Sequence, residues 1–145
     1  MAAYQSSRKF IFEQVKRYKQ RYRNAKIYVT GYSLGAAQAV YCALELNLAG
    51  YDTYLLTFGS PRPGNKAFAD FVNRHLGSKN YRITYGKDLV AHFPSAERYH
   101  HVGIEVNFGK GGGYAIRAQF SDDKKHTAYD HSRSNYENLN MQCEH

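Results

Sequence analysis

At 145 residues, with 43% apolar and 22% charged side chains, the chain has room for a buried core, and its composition excludes a disordered polypeptide. No apolar run approaches the roughly 20 residues a membrane helix needs, no signal-peptide pattern opens the sequence, and two cysteines, Cys42 and Cys143, are too few for a disulfide scaffold. The net charge of +8 points toward an anionic partner unless its placement says otherwise.

The placement does say otherwise. Residues 8–26 carry Arg8, Lys9, Lys16, Arg17, Lys19, Arg21, Arg23 and Lys26 against Glu13 alone. In the same segment Ile11, Val15, Tyr18 and Tyr22 recur at helical spacing, which predicts an amphipathic helix ending near Arg23 with that stripe buried and the charges facing solvent. Attraction to an anionic lipid surface or a partner is the functional reading of the same charges. Nucleic acid is not expected, because no motif of base-stacking aromatics accompanies them.

A strand follows at Lys26–Thr30, then the corner Gly31-Tyr32-Ser33-Leu34-Gly35, then an alanine-rich helix over Ala36–Leu48 that Gly50 can end. Cys42 falls in that run as a buried free thiol. Thr53–Phe58 is a continuous apolar run, as a strand covered on both faces requires. Asn65 can cap a helix whose face is Phe68, Phe71, Val72 and Leu76. Tyr81–Tyr85 and Val102–Phe108 read as strands three and four. Tyr114–Phe120 is a fifth after a glycine-rich turn, and Asp130 or Ser132 starts a last helix carrying Tyr136 and Leu139. Strands alternating with helices predict a single α/β domain over residues 1–145, its sheet parallel in the middle with helices on both faces. Ligands on such sheets gather at the carboxyl ends of the strands.

The corner lies at such an end. A G-x-S-x-G between strand and helix exposes the serine hydroxyl on a strained turn above the sheet. Gly31 and Gly35 are expected to lack side chains because strand and helix pass too close to admit a Cβ. The helix behind Ser33 directs free N–H groups toward it, and that of Leu34 is the candidate oxyanion donor. A serine nucleophile needs a base, and the base an orienting acid, in the order Ser, Asp, His on this fold. Asp88, just past strand three, suits the acid better than Asp52 in a turn or Asp70 on a helix. Of the histidines, His75 is on a helix, while His92, His100 and His101 crowd the segment between strands three and four. The pair His100-His101 lacks a second ligand cluster for a metal. His126 and His131 both follow Asp88, and spacing does not choose between them.

At these residues the sequence resembles the class 3 lipases, the fungal-lipase-like branch of the α/β-hydrolases. VTGYSLGAA is similar to that family's VTGHSLGGA elbow, TFGSPRPGNKAFADFVN to its TFGSPRVGN block, and YRITYGKDLVAHFP and YHHVGIEVNF to the two blocks that follow, in the same order. The resemblance implies a serine esterase or lipase acting on acylglycerol-type esters, with Ser33 as nucleophile and Asp88 as acid. It favours His131, in DHSRSNY, as base, with His126, in KHTAY, as the alternative. It implies no metal and no organic cofactor. It is also a family often secreted. Tyr32 stands where the family usually has His, Ala36 replaces a glycine and Ala91 a loop proline.

The family has an N-terminal portion, with further strands, a lid and a second oxyanion donor, that this sequence does not contain. A hydrolase-type sheet truncated on that side is therefore expected, with a second copy or a partner chain completing it. The competing reading is a non-catalytic binding or assembly module built on a lipase core.

Overall fold

A computed structural model describes residues 2–117 and 126–139. In chain order they form α1 (Ala2–Arg21), β1 (Ile27–Tyr32), α2 (Leu34–Leu48), β2 (Thr53–Phe58), α3 (Lys66–Leu76), β3 (Asn80–Tyr85), β4 (Ile104–Phe108), β5 (Tyr114–Arg117) and α4 (Arg133–Glu137). The strands make one sheet in the order β1-β2-β3-β4-β5, parallel from β1 to β4 and antiparallel between β4 and β5. The mostly parallel α/β sheet expected from the alternation is the one observed. The last three residues predicted for the fifth strand, 118–120, lie outside the described residues, as does Cys143.

Local chemistry fixes the element ends. The Asn65 side chain accepts the Phe68 N–H at 2.9 Å to start α3, and Gly77, at φ 53°, ends it in a conformation other residues avoid. The first turn of α4 follows Ser132 rather than Asp130, which sits in a preceding 3-10 turn, Ala128–His131.

Strand alternation and register divide the sheet into two faces. Val29, Leu55 and Thr57 point to one, where α2 and α3 close a core of Val40, Ala43, Leu44, Val72 and Leu76 with Val102. The same face carries an ion pair taken fully out of water: Arg82 Nη1 donates to Glu105 Oε1 at 3.0 Å, and Thr84 donates to the same oxygen at 2.9 Å. α1 joins through Tyr4, Ile11, Phe12 and Val15, which pack with Cys42 and Leu46 of α2. Cys42 is a buried free thiol, as expected, and burial pushes its pKa up.

The stripe predicted for α1 is only half buried. Ile11 and Val15 are partly covered, but Tyr18 and Tyr22 are 61% and 50% exposed and border an apolar groove of about 410 Å³ between α1 and the start of β1. Periodicity identified the apolar side of the helix. It could not say that only the first half of that side meets α2.

The opposite face holds Tyr28, Tyr54, Leu56, Phe58, Tyr81, Ile83 and Tyr85. α4 covers its carboxyl end by packing Tyr136 against Phe58 and Tyr85. Farther along that face Tyr28 stacks on Tyr54 and is 66% exposed, and Tyr81 is 38% exposed. Among the described residues no helix is long and apolar enough to cross a membrane.

Candidate active site

The corner between β1 and α2 is strained in the way its sequence requires. Ser33 has φ 56° and ψ −126°, and among the described residues it is the one non-glycine residue with positive φ. Such a conformation costs about 1–3 kcal/mol and persists only where the surroundings enforce it. Here the Ser33 N–H is held by the Phe58 carbonyl at 3.0 Å, and the Ser33 carbonyl accepts the Ala36 N–H at 3.0 Å. A Cβ on Gly31 would run into the Gly35 carbonyl group, its carbon only 2.5 Å away, and into the Ala36 nitrogen at 2.8 Å. Gly31 is therefore obligatory for the close approach. Gly35 is not, because a Cβ there would meet nothing within 4 Å, which corrects the expectation that both glycines are sterically required. The Cα–Cβ direction at Gly35 leads away from the strand, and spacing alone does not reveal that. Leu34 opens α2, so its N–H has no carbonyl one turn back and remains available beside Ser33.

Three segments converge on this serine. His131 ends the 3-10 turn Ala128–His131, and its Nε2 lies 2.8 Å from Ser33 Oγ. Its Nδ1 lies 2.8 Å from Oδ2 of Asp88, just past the end of β3. A carboxylate only accepts, so Nδ1 carries the proton and Nε2 presents a lone pair to the serine hydroxyl. The loop bearing His131 is docked beside the loop bearing Asp88: the Thr127 N–H donates to the Lys87 carbonyl at 2.9 Å, and the Lys87 N–H donates to Oδ2 of buried Asp130 at 2.9 Å. Lys110, from the β4–β5 turn, pairs with the other Asp130 oxygen at 2.8 Å.

Asp88 is 1% exposed. Its Oδ1 accepts the Val90 N–H at 2.8 Å, and Oδ2 accepts the Tyr136 hydroxyl as well as His131. Tyr136 in turn accepts the Tyr85 N–H at 3.2 Å. Burial, then the neighbouring Asp88 charge, push the Tyr136 phenol far above its ordinary value, so it stays a donor to the carboxylate. Two residues here escaped the sequence reading. Tyr136 stood out as part of a helix and a motif, but its bond to Asp88 was not foreseen. Gly59, the first residue after β2, was not singled out at all; a Cβ on it would lie 2.9 Å from Asp88 Oδ2, 3.1 Å from His131 Cε1 and 3.1 Å from the Tyr136 hydroxyl, and its φ is +54°. Its signal was available, a glycine immediately after a strand end facing the elbow.

The other histidines go elsewhere. His126 packs edge-on against His92, whose Nδ1 donates to the Asp88 carbonyl at 2.8 Å, and it does not reach Ser33. His101 is held by the Ala91 carbonyl at 2.7 Å, and burial, reinforced by the nearby Arg82, lowers its pKa well below 6.5. Its neighbour His100 donates its backbone N–H to Gly64 instead. An apolar-walled recess of about 210 Å³, formed by Tyr32, Phe58 and Tyr136 with Arg133 and Glu137 at its rim, adjoins the site.

Known proteins share this arrangement of chain. Over 88 residues the sequence is 44% identical to a secreted mono- and diacylglycerol lipase of Malassezia globosa, covering 58% of this chain and 28% of that protein. The fold superposes on the triacylglyceride lipase of Rhizomucor miehei with a TM-score of 0.81 at 26% identity, covering 90% of this chain and 55% of that one. It superposes equally on a triacylglycerol lipase whose catalytic centre is described as a serine protease triad, with a TM-score of 0.80, 27% identity, and coverage of 90% and 55%. The chain thus spans just over a quarter of that Malassezia relative and about half of the solved lipases. Residues 1–98 match the model of the family Lipase (class 3), and the chain belongs to that family.

Proposed function

We propose that the chain is a serine hydrolase of carboxylic esters working through an acyl-enzyme on Ser33. The pair of 2.8 Å contacts joining Ser33 to His131 and His131 to Asp88 carries the reading. In it, His131 Nε2 takes the hydroxyl proton as Ser33 Oγ attacks the ester carbonyl, and Asp88 holds the imidazolium in position. The Leu34 N–H donates to the oxyanion as it develops. His131 then returns the proton to the leaving alcohol, and a water deprotonated by the same nitrogen releases the acid.

Acylglycerols are the substrates named for the relatives, and the family resemblance extends that class to this chain. An apolar recess walled by Tyr32, Phe58 and Tyr136 lies on the side of the site where Tyr32 meets His131, and offers apolar surface to an acyl chain. The exposed tyrosines on the sheet face favour a second reading, a binding module whose lipase core serves association.

Intact-mass analysis after incubation with a fluorophosphonate separates the two. The hydrolase reading requires one adduct on the native chain that is lost in Ser33→Ala and strongly slowed in His131→Ala but not in His126→Ala. A folded native chain that forms no adduct overturns it in favour of the binding module.

A further inference from the structure

Tyr32, the residue before the nucleophile, makes two contacts with the same histidine that Ser33 meets. Its hydroxyl donates to the backbone carbonyl of His131. Its ring stacks on the His131 imidazole, with centroids 5.0 Å apart and planes inclined by 16°. A third contact, to the Tyr136 ring at 5.5 Å, links it to the hydroxyl that holds Asp88. Resting on the hydrolase reading of the site, we propose that Tyr32 is a positioning residue that sets the distance between nucleophile and base.

The argument is one of connectivity. Ser33 and Tyr32 are consecutive, so the two groups they offer to His131 spring from one short, strained stretch of backbone with Cα atoms about 3.8 Å apart. The hydroxyl of Tyr32 holds the main chain of His131 while Ser33 Oγ meets its Nε2 at 2.8 Å. This closes a ring from Ser33 through Tyr32 to the His131 backbone, along its side chain and back to Ser33. Within the ring the imidazole cannot retreat from the serine without breaking a hydrogen bond or unstacking a ring. The loop bearing His131 is otherwise tied to the Asp88 side of the site, through Lys87, Asp130 and Asp88 itself. Tyr32 supplies the tie to the serine side. Histidine, the residue expected here by resemblance, has no hydroxyl to offer the His131 carbonyl, so the device belongs to a tyrosine at this position.

The test uses the full chain with Tyr32→Phe, which keeps the ring and drops the hydroxyl, and Tyr32→Leu, which drops both, each checked for native folding by its urea midpoint. With a short p-nitrophenyl ester, kcat falls about tenfold in Tyr32→Phe and about a hundredfold in Tyr32→Leu, because small misplacements of a reacting pair cost rates of that order, while KM stays within about twofold. In ¹⁵N-histidine spectra the His131 Nδ1–H resonance of the native chain broadens in both variants, as its ring gains freedom. A Tyr32→Phe variant with native kcat and an unchanged His131 resonance overturns the proposal. So does a loss confined to KM, which would make Tyr32 a wall of the substrate recess. If the native chain hydrolyses no ester and forms no fluorophosphonate adduct, the functional reading fails by itself, and the His131 resonance in Tyr32→Phe still decides whether the clamp exists.

Discussion

Gly59→Ala offers a sharp test of how the site is assembled. The added methyl would sit 2.9 Å from Asp88 Oδ2, 3.1 Å from His131 Cε1 and 3.1 Å from the Tyr136 hydroxyl, so all three groups would have to give by a few tenths of an ångström. None is the free end of a flexible chain. Asp88 is fixed by the Val90 N–H, His131 by Asp88 and Ser33, and Tyr136 by the Tyr85 N–H. The backbone adds its own penalty, since φ at Gly59 is +54° and a non-glycine residue there costs about 1–2 kcal/mol. Urea denaturation should therefore show a loss of about 2–5 kcal/mol, about 1–2 from backbone strain and about 1–3 from overpacking. The rate of fluorophosphonate labelling should fall by about tenfold or more, beyond what the unfolded fraction explains, because the methyl pushes directly on Asp88 and His131. A Gly59→Ala protein that labels at the native rate would refute the claim that this glycine gives room for the convergence on Ser33.

The two elbow glycines should part company: Gly31→Ala costs about 3 kcal/mol in urea unfolding, whereas Gly35→Ala, with open space around the new methyl, is neutral or stabilises α2 by about 0.5 kcal/mol, and equal losses would contradict the geometry. Removing one member of the interior ion pair, by Glu105→Ala, leaves Arg82 charged and buried and should cost about 3–5 kcal/mol. The double change Arg82→Met with Glu105→Leu should recover most of it, and a mild effect of the single variant would mean that water reaches the pair. Burial holds the folded-state pKa of His101 below its ordinary 6.5, so the unfolded chain binds its proton first as pH falls. Stability should therefore decline below about pH 6.5, with a limiting slope of about 1.4 kcal/mol per pH unit for one proton, and His101→Gln should flatten that limb in unfolding curves measured from pH 8 to 5.

How much of this was written in the sequence depends on whether the signal is local. The elbow is local: a strand pattern, two glycines, a serine and an alanine-rich helix lie within a dozen residues, and all formed as expected, although only Gly31 is needed for contact. Capping of α3 by Asn65 was legible for the same reason. Contacts between distant segments were not. Nothing in the sequence around Arg82 and Glu105 marks them as a pair, yet the β3–β4 register places them opposite each other on the face that α2 and α3 cover. Tyr18 and Tyr22 fit the apolar stripe of α1, but what lies across from a stripe is a tertiary fact. The choice between His126 and His131 was beyond spacing because both follow Asp88. What separates them in space is the docking of the 3-10 turn through Thr127 and Asp130, which no periodicity encodes. Tyr32 read only as a departure from the histidine expected by resemblance, and its reach to the His131 carbonyl emerged only once that turn was in place.

The groups that meet at Ser33 share a further property. Each is held by contacts at the carboxyl ends of β1, β2 and β3 or in the loops beyond them: Ser33 by the Phe58 carbonyl, Gly59 by the Ile83 carbonyl, Asp88 by the Val90 N–H, and His131 by Asp88 and Tyr32. None of these contacts involves Tyr28 or Tyr81, or the groove that Tyr18 and Tyr22 border. Exposing that apolar surface to water weighs on solubility and association. It places no constraint on the distances at the serine. The geometry of the site and the bareness of the sheet face are thus separate features of the fold. Covering Tyr28 and Tyr81 would act on stability and assembly, while the spacing of Ser33, His131 and Asp88 would be left to the loops and α4.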